Sequence, residues 1–166
     1  MTPAVLSIGS NVGDRLGYLR GCVALLGPAV RAVSPVYATA PWGGVAQEEF
    51  LNAVLLVDDS DTDADEWLRR GQHCEAAAQR TRPLRWGPRT LDVDVIDVAQ
   101  IRQDDPHLTL PHPRAHQRAF VLVPWLDVAP GAVLPGRGPV VELLAALPAG
   151  QRRSVRRRDD LVLGFS

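Results

Sequence analysis

The chain contains no lysine: all 18 of its basic side chains are arginine, and 19 acids bring the formal net charge to −1. That absence excludes a GxxxxGK[ST] phosphate loop, a Schiff-base lysine and a lysine general base. Any handling of phosphate must fall to arginine, backbone amides or metal. Arginine suits it, being a permanently charged planar fork of five donors. Cysteine is scarce too, with only Cys22 and Cys74. They read as free thiols of a reducing cytoplasm, or as one bridge, but not as a disulfide framework. No apolar run approaches the ~18–20 residues of a membrane span. Residues 1–5 carry no basic segment ahead of an apolar core, so the cytoplasm is the expected compartment.

What remains is 166 residues, 46% hydrophobic and 22% charged, a composition that makes the chain globular. The length suits a single domain over residues 1–166, with a basic C-terminal segment at 151–166. Charge is unevenly spread. Residues 46–65 hold seven acids and no base, whereas residues 69–89 hold six arginines against Glu75 alone. Arg152, Arg153, Arg156, Arg157 and Arg158 form a second basic cluster. A solvated tail is the plain reading of that cluster.

Hydrophobic periodicity predicts a strand at residues 4–8, ended by Gly9-Ser10-Asn11-Val12-Gly13. This Gly-flanked turn either presents amides to an anion or is an ordinary tight turn. Asp14 caps the next helix, on which Leu16, Leu19, Val23 and Leu26 make one apolar stripe. Further strands are predicted at 30–37, 50–57 and 91–98, and an edge strand at 161–163. Residues 38–47 read as a loop. A helix starts near Thr62 or Asp63; Asp63 with Glu66 makes the closer capping box. It turns Trp67, Leu68, Cys74 and Ala78 inward and frays near residues 80–83. Residues 108–110 are short and extended, and Pro111-His112-Pro113 forces a non-helical turn. Residues 119–129 read as helix or strand with a break at Pro124, and residues 140–147 as helix. Mixed elements without strict βαβ alternation predict an α+β fold with a largely antiparallel sheet.

The sharpest segment is residues 85–94, RWGPRTLDVD. Residues i and i+2 of a strand share a face, so Asp92 and Asp94 project together. Two such carboxylates repel unless a cation joins them, and Mg²⁺ takes one or two carboxylates with water and phosphate oxygen completing its octahedron. A solvent-facing strand with incidental acids is the bland alternative. Arg80, Arg82, Arg85 and Arg89 precede the pair within fifteen residues and tilt the reading toward a metal–polyphosphate site. His112 is rigidly placed between prolines, either as a site residue or as a satisfied surface histidine. Phe50 and Asn52 share a face and suit a flat heterocycle with several hydrogen-bonding edges, with core packing the competing account for Phe50.

In combination, Leu6–Asn11, residues 37–43, Phe50-Leu51-Asn52-Ala53, residues 85–94, residues 108–112 and Arg118-Ala119-Phe120 resemble the 6-hydroxymethyl-7,8-dihydropterin pyrophosphokinases of folate biosynthesis. The resemblance spans about the first three-quarters of the chain. It implies a ferredoxin-like sandwich with helices packed on the sheet. It also implies Mg²⁺-dependent transfer of pyrophosphate from ATP to the pterin hydroxymethyl group, releasing AMP. By position, Asp92 and Asp94 would ligate two Mg²⁺ ions and act in catalysis with Arg80 and Arg89. Gln72, Glu75, Arg82, Arg89, His112 and Arg118 would bind ATP. Thr39, Trp42, Phe50, Asn52, Trp86 and Phe120 would bind the pterin. The expected partners are these two small substrates alone, with a monomeric chain and neither nucleic acid nor membrane. A nucleic-acid module built on the arginine clusters is the alternative, and the net charge of −1 with pI ≈ 6.4 argues against it.

Overall fold

The first strand sets the pattern of the molecule, because its side chains are buried on both faces. The computed structural model describes residues 3–40, 49–79 and 90–164. In chain order these form β1 (Pro3–Ser10), α1 (Arg15–Leu26), β2 (Val30–Val33), β3 (Tyr37–Thr39), β4 (Phe50–Asp58), α2 (Ala64–Gln79) and β5 (Asp92–Val98). Then follow α3 (Ala119–Val128), β6 (Val133–Leu134), β7 (Gly138–Pro139), α4 (Val140–Ala145), α5 (Ala149–Arg153) and β8 (Val155–Arg157). The main sheet runs β5-β1-β4-β3-β8, with β2 also paired to β4, and every pairing in it is antiparallel. β6 and β7 make a separate small hairpin.

Period-two alternation sends Leu6, Ile8, Ala53, Leu55, Val93 and Val95 to one face. There they bury against Leu19, Cys22 and Leu26 of α1 and Trp67 and Cys74 of α2. The opposite face packs Val5, Val54 and Ile96 against Val121, Leu122 and Trp125 of α3. Local capping follows the sequence. The Asp14 carboxylate accepts from the Gly17 amide at 3.1 Å, and Asp63 accepts from the Glu66 amide at 2.8 Å. Gly27 ends α1 with a positive φ of 58°. Cys22 and Cys74 are both buried and unbridged.

Four expectations need correction. Residues 30–37 are two strands rather than one. Pro35 has no N–H, and the Ser34 hydroxyl between the strands accepts from the Val54 amide at 2.9 Å. Gly9 and Ser10 belong to β1, not to a turn. Pro124 does not break α3. It leaves the Phe120 carbonyl without a helical donor, yet its own burial beside Val121, Leu122 and Trp125 holds the helix together. The terminal edge strand is β8, not residues 161–163, which have no regular structure. The basic cluster stays a solvated face, with Arg156 and Arg157 carried on β8. Arg156 pairs with Glu49, Arg157 with Asp159 at 2.5 Å and Arg158 with Asp160 at 2.8 Å.

Candidate active site

Four strands meet where β1 ends. Across the sheet, Asp92 of β5 lies opposite Gly9, Gly9 opposite Asn52, and Asn52 opposite Tyr37. One step along, Asp94 lies opposite Ser7 and Ser7 opposite Val54. Asp92, Asp94, Ser7, Gly9, Phe50, Asn52, Tyr37 and Thr39 therefore share the face on which α3 packs. Apolar residues hold α3 on that face at one end, and polar ones occupy the other.

Gly9 is the pivot of the row. A Cβ on it would collide with the Asn52 amide oxygen, so any larger residue here must displace that side chain. The Asn52 amide consequently lies across the β1 backbone, only 5% exposed, and donates to the Thr39 hydroxyl at 3.2 Å. Thr39 is in turn paired with Phe50. One aromatic ring, one amide and one hydroxyl thus stand together on neighbouring strands.

At the β5 end, the Arg118 guanidinium lies 3.6 Å from the Asp94 carboxylate and 5.5 Å over the Phe120 ring. Arg118 is the residue at which α3 begins, and Phe120 stands in its first turn. The start of one helix therefore places a cation beside the acid pair and an aromatic face next to it. The Asp94 side chain keeps 40% exposure and Arg118 27%.

β5 is the edge of the sheet, and two further candidate residues cover its outer rim. The Glu75 carboxylate accepts from the Val93 amide at 3.1 Å, and the His112 amide donates to the Ile96 carbonyl at 2.9 Å. Gly71 lets α2 come this close, because a Cβ there would stand 2.9 Å from Val93 Cγ1. Nδ1 of His112 accepts from the Arg114 amide at 3.1 Å, leaving Nε2 as the protonated nitrogen of the neutral ring. Burial lowers the His112 pKa below its ordinary value, with Arg118 and Arg114 acting in the same direction against Asp94. Gln72 lies one turn before Glu75 on α2 and is exposed.

The structure thus brings Asp94, Arg118 and Phe120 into one group and Thr39, Phe50 and Asn52 into another, with Asp92 in line between Asp94 and Asn52 across Gly9. Glu75 and His112 join along the β5 rim. Trp42, Arg80, Arg82, Trp86 and Arg89 lie outside the described residues. Two participants escaped sequence reasoning. One is Gly9 as the space for Asn52. The other is Tyr37, whose hydroxyl donates to Asp127 of α3, while burial, followed by that bond, pushes its pKa up to about 12. Tyr37 was legible in principle, being two residues from Thr39 on a strand.

Among the described residues no three His, Cys, Asp or Glu side chains converge as a ready metal cage. The acid pair offers two hard oxygen donors, the set suited to a magnesium ion that completes its shell with water and phosphate.

On this antiparallel sheet an acid pair and an arginine stand near an aromatic ring, an amide and a hydroxyl, a set whose chemistry suits a polyphosphate and a flat heterocycle. The comparisons with known proteins narrow this. The family model described as 7,8-dihydro-6-hydroxymethylpterin-pyrophosphokinase (HPPK) matches residues 5–130, and the chain belongs to that family. A 2-amino-4-hydroxy-6-hydroxymethyldihydropteridine pyrophosphokinase of Mycobacterium bovis is 52% identical, over 94% of this chain and 89% of its own length. The protein of the same name from Bacillus subtilis is 40% identical, over 75% of this chain and 77% of its own. Among solved structures, Plasmodium falciparum HPPK-DHPS with pterin and p-hydroxybenzoate superposes with a TM-score of 0.67 at 13% identity. That match covers 87% of this chain but 42% of the solved one, and it shows the fold alone. No helix among the described residues is long and apolar enough to cross a membrane.

Proposed function

We propose that this pyrophosphokinase of folate biosynthesis transfers the pyrophosphoryl group of ATP to 6-hydroxymethyl-7,8-dihydropterin in a Mg²⁺-dependent reaction. The pterin hydroxymethyl oxygen forms a bond to the β-phosphorus and the bond from that phosphorus to the α,β-bridging oxygen breaks. AMP leaves, and the hydroxyl proton is released. The observation that carries the reading is the cross-strand row in which Asp92 and Asn52 flank Gly9 on one face.

Asn52, with a donor and an acceptor on one planar group, suits the amide-like edge of a pterin, and Thr39 adds a hydroxyl beside it. Phe50 and Phe120 offer aromatic faces for the flat ring system to stack on, and the resemblance assigns Trp42 and Trp86 to the same ligand. Arg118 meets phosphate oxygen from the start of α3, and His112 presents Nε2–H, a donor that needs no change of protonation. Arg80, Arg82 and Arg89 extend the cationic complement that a lysine-free chain must build from arginine. Gln72 and Glu75 border the nucleotide from α2. Asp92 and Asp94 would hold the Mg²⁺, two ions in this reading. Bound there, Mg²⁺ supplies neutralisation of the charge that develops on the phosphate oxygens. Positioning and charge are most of what phosphoryl transfer asks of a protein, and no nucleophilic side chain is required. The same reading takes a monomeric chain with no nucleic-acid partner.

Incubating the chain with ATP, Mg²⁺ and the pterin should yield AMP in step with pterin consumed. ADP as the main product would make the protein an ordinary kinase and overturn the assignment.

A further inference from the structure

The family match ends at residue 130, yet the sheet does not. β8 completes it beyond β3, with Val155 opposite Thr39, Ala38 opposite Arg156 and Tyr37 opposite Arg157. Thr39 is itself opposite Phe50, so Val155, Thr39 and Phe50 form one row at the pocket end of the sheet. Arg156 is offset by one residue and points to the other face, as does Glu49, the residue before Phe50. There the Arg156 guanidinium donates to the Glu49 carboxylate. A second arginine reaches the same residue, since Arg15 at the start of α1 donates to the Glu49 backbone carbonyl at 2.6 Å. Glu49 is thus held twice, by side chain and by main chain, from two elements far apart in sequence. Its neighbour Phe50 lies on the opposite face, paired with Thr39.

We propose that Arg156, with Arg15, is a positioning residue for the pterin pocket, and that β8 is part of that pocket's wall. The inference rests on the assignment of Phe50, Asn52 and Thr39 to pterin binding. Arg156 touches no substrate and acts through Glu49 on Phe50. The nucleotide end of the site, at Asp94 and Arg118, lies across β1 and β4 from this clamp and does not depend on it.

The test is titration of the full chain with 6-hydroxymethyl-7,8-dihydropterin in the presence of a non-hydrolysable ATP analogue and Mg²⁺, and separately with the analogue and Mg²⁺ alone. The Arg156–Glu49 pair is substantially exposed, with side chains 58% and 39% accessible, so its effect is that of a surface ion pair. Arg156→Ala should raise the pterin Kd by about two- to fivefold and leave the analogue Kd unchanged. Arg156→Lys, which keeps the charge, should recover part of the loss. Glu49→Gln combined with Arg156→Ala should be no worse than either alone, because both remove one interaction. Arg15→Ala, which strips a charged donor from a carbonyl, should weaken pterin binding by about tenfold. Unchanged pterin affinity in Arg156→Ala, or an equal loss for both ligands, would overturn the inference. Phe50→Ala serves as the control for the underlying assignment. If Phe50→Ala binds pterin normally, the pocket itself is misplaced. If it binds weakly while Arg156→Ala does not, only the clamp fails.

Discussion

The two faces of the main sheet are built from the same strands and made to different ends. On the face toward α1 and α2, alternate residues of β1, β4 and β5 are apolar except for Ser10 at the end of β1, and Trp67 and Leu19 close over them without exposure. On the face toward α3 the alternation is interrupted. Val5, Val54 and Ile96 hold α3, and Ser7, Gly9, Asn52, Asp92 and Asp94 continue the same rows in polar form. The closed face supplies stability, and the divided face supplies a rigid frame for chemistry. An acid on a central or edge strand is tolerated there because α3 stops short of covering the whole face, leaving Asp94 partly in water.

If that division is real, the two faces should fail differently. The largest effect is expected on the closed face. Trp67→Ala removes a fully buried indole and should cost about 3–5 kcal/mol in denaturant unfolding. Turnover per folded molecule should stay near the wild-type value. The reverse pattern belongs to the divided face. Asp92→Asn or Asp94→Asn should lower turnover by about 10²–10³, the scale for losing one preorganised electrostatic group. The denaturation midpoint should hardly move, because one source of carboxylate repulsion is gone. A variant of either kind that loses stability and turnover together would blur the comparison.

Gly9→Ala probes the hinge between acids and amide. The added Cβ pushes Asn52 aside, and overpacking of this sort costs about 1–3 kcal/mol. Pterin affinity should fall further than that instability explains, as pterin titration of the folded fraction would report. The smallest effect concerns Tyr37. Its folded-state pKa is raised from 10 to about 12, so the folded protein holds a proton that the unfolded chain gives up. The stabilisation is complete below pH 10 and is lost as pH climbs toward 12. Unfolding measured across that window should show a shallower pH slope for Tyr37→Phe than for the wild type.

How much of this was legible in the sequence follows from the same division. The closed face announces itself, because Leu6, Ile8, Val93 and Val95 obey strand periodicity and Leu19, Val23 and Leu26 obey helical periodicity. The polar row was legible in pieces, since Asp92 with Asp94 and Phe50 with Asn52 are i, i+2 pairs. That the pieces align across Gly9 depends on strand register, which no local pattern encodes. Gly9 itself reads as punctuation until Asn52 is seen against it. Residues 30–37 look like one β-branched run, and the split appears only when Ser34 is found bonded to β4. Pro124 signals a break that tertiary burial overrides. The arginines of β8 read as solvated and are largely exposed; only the pairing of Arg156 with Glu49, 107 residues away, escapes a local pattern, whereas Arg157 meets Asp159 two residues on.

The central claim is that one face holds two substrates side by side, with pterin at the Asn52 end and nucleotide at the Asp92 end. The half-saturating concentrations of pterin and of Mg-ATP for Asn52→Ala, each measured with the other substrate saturating, test it most directly. The account predicts a rise of at least about tenfold for pterin, as expected when buried hydrogen-bonding groups lose their partner, and no change for Mg-ATP. A rise confined to Mg-ATP, or an equal rise for both, would contradict it.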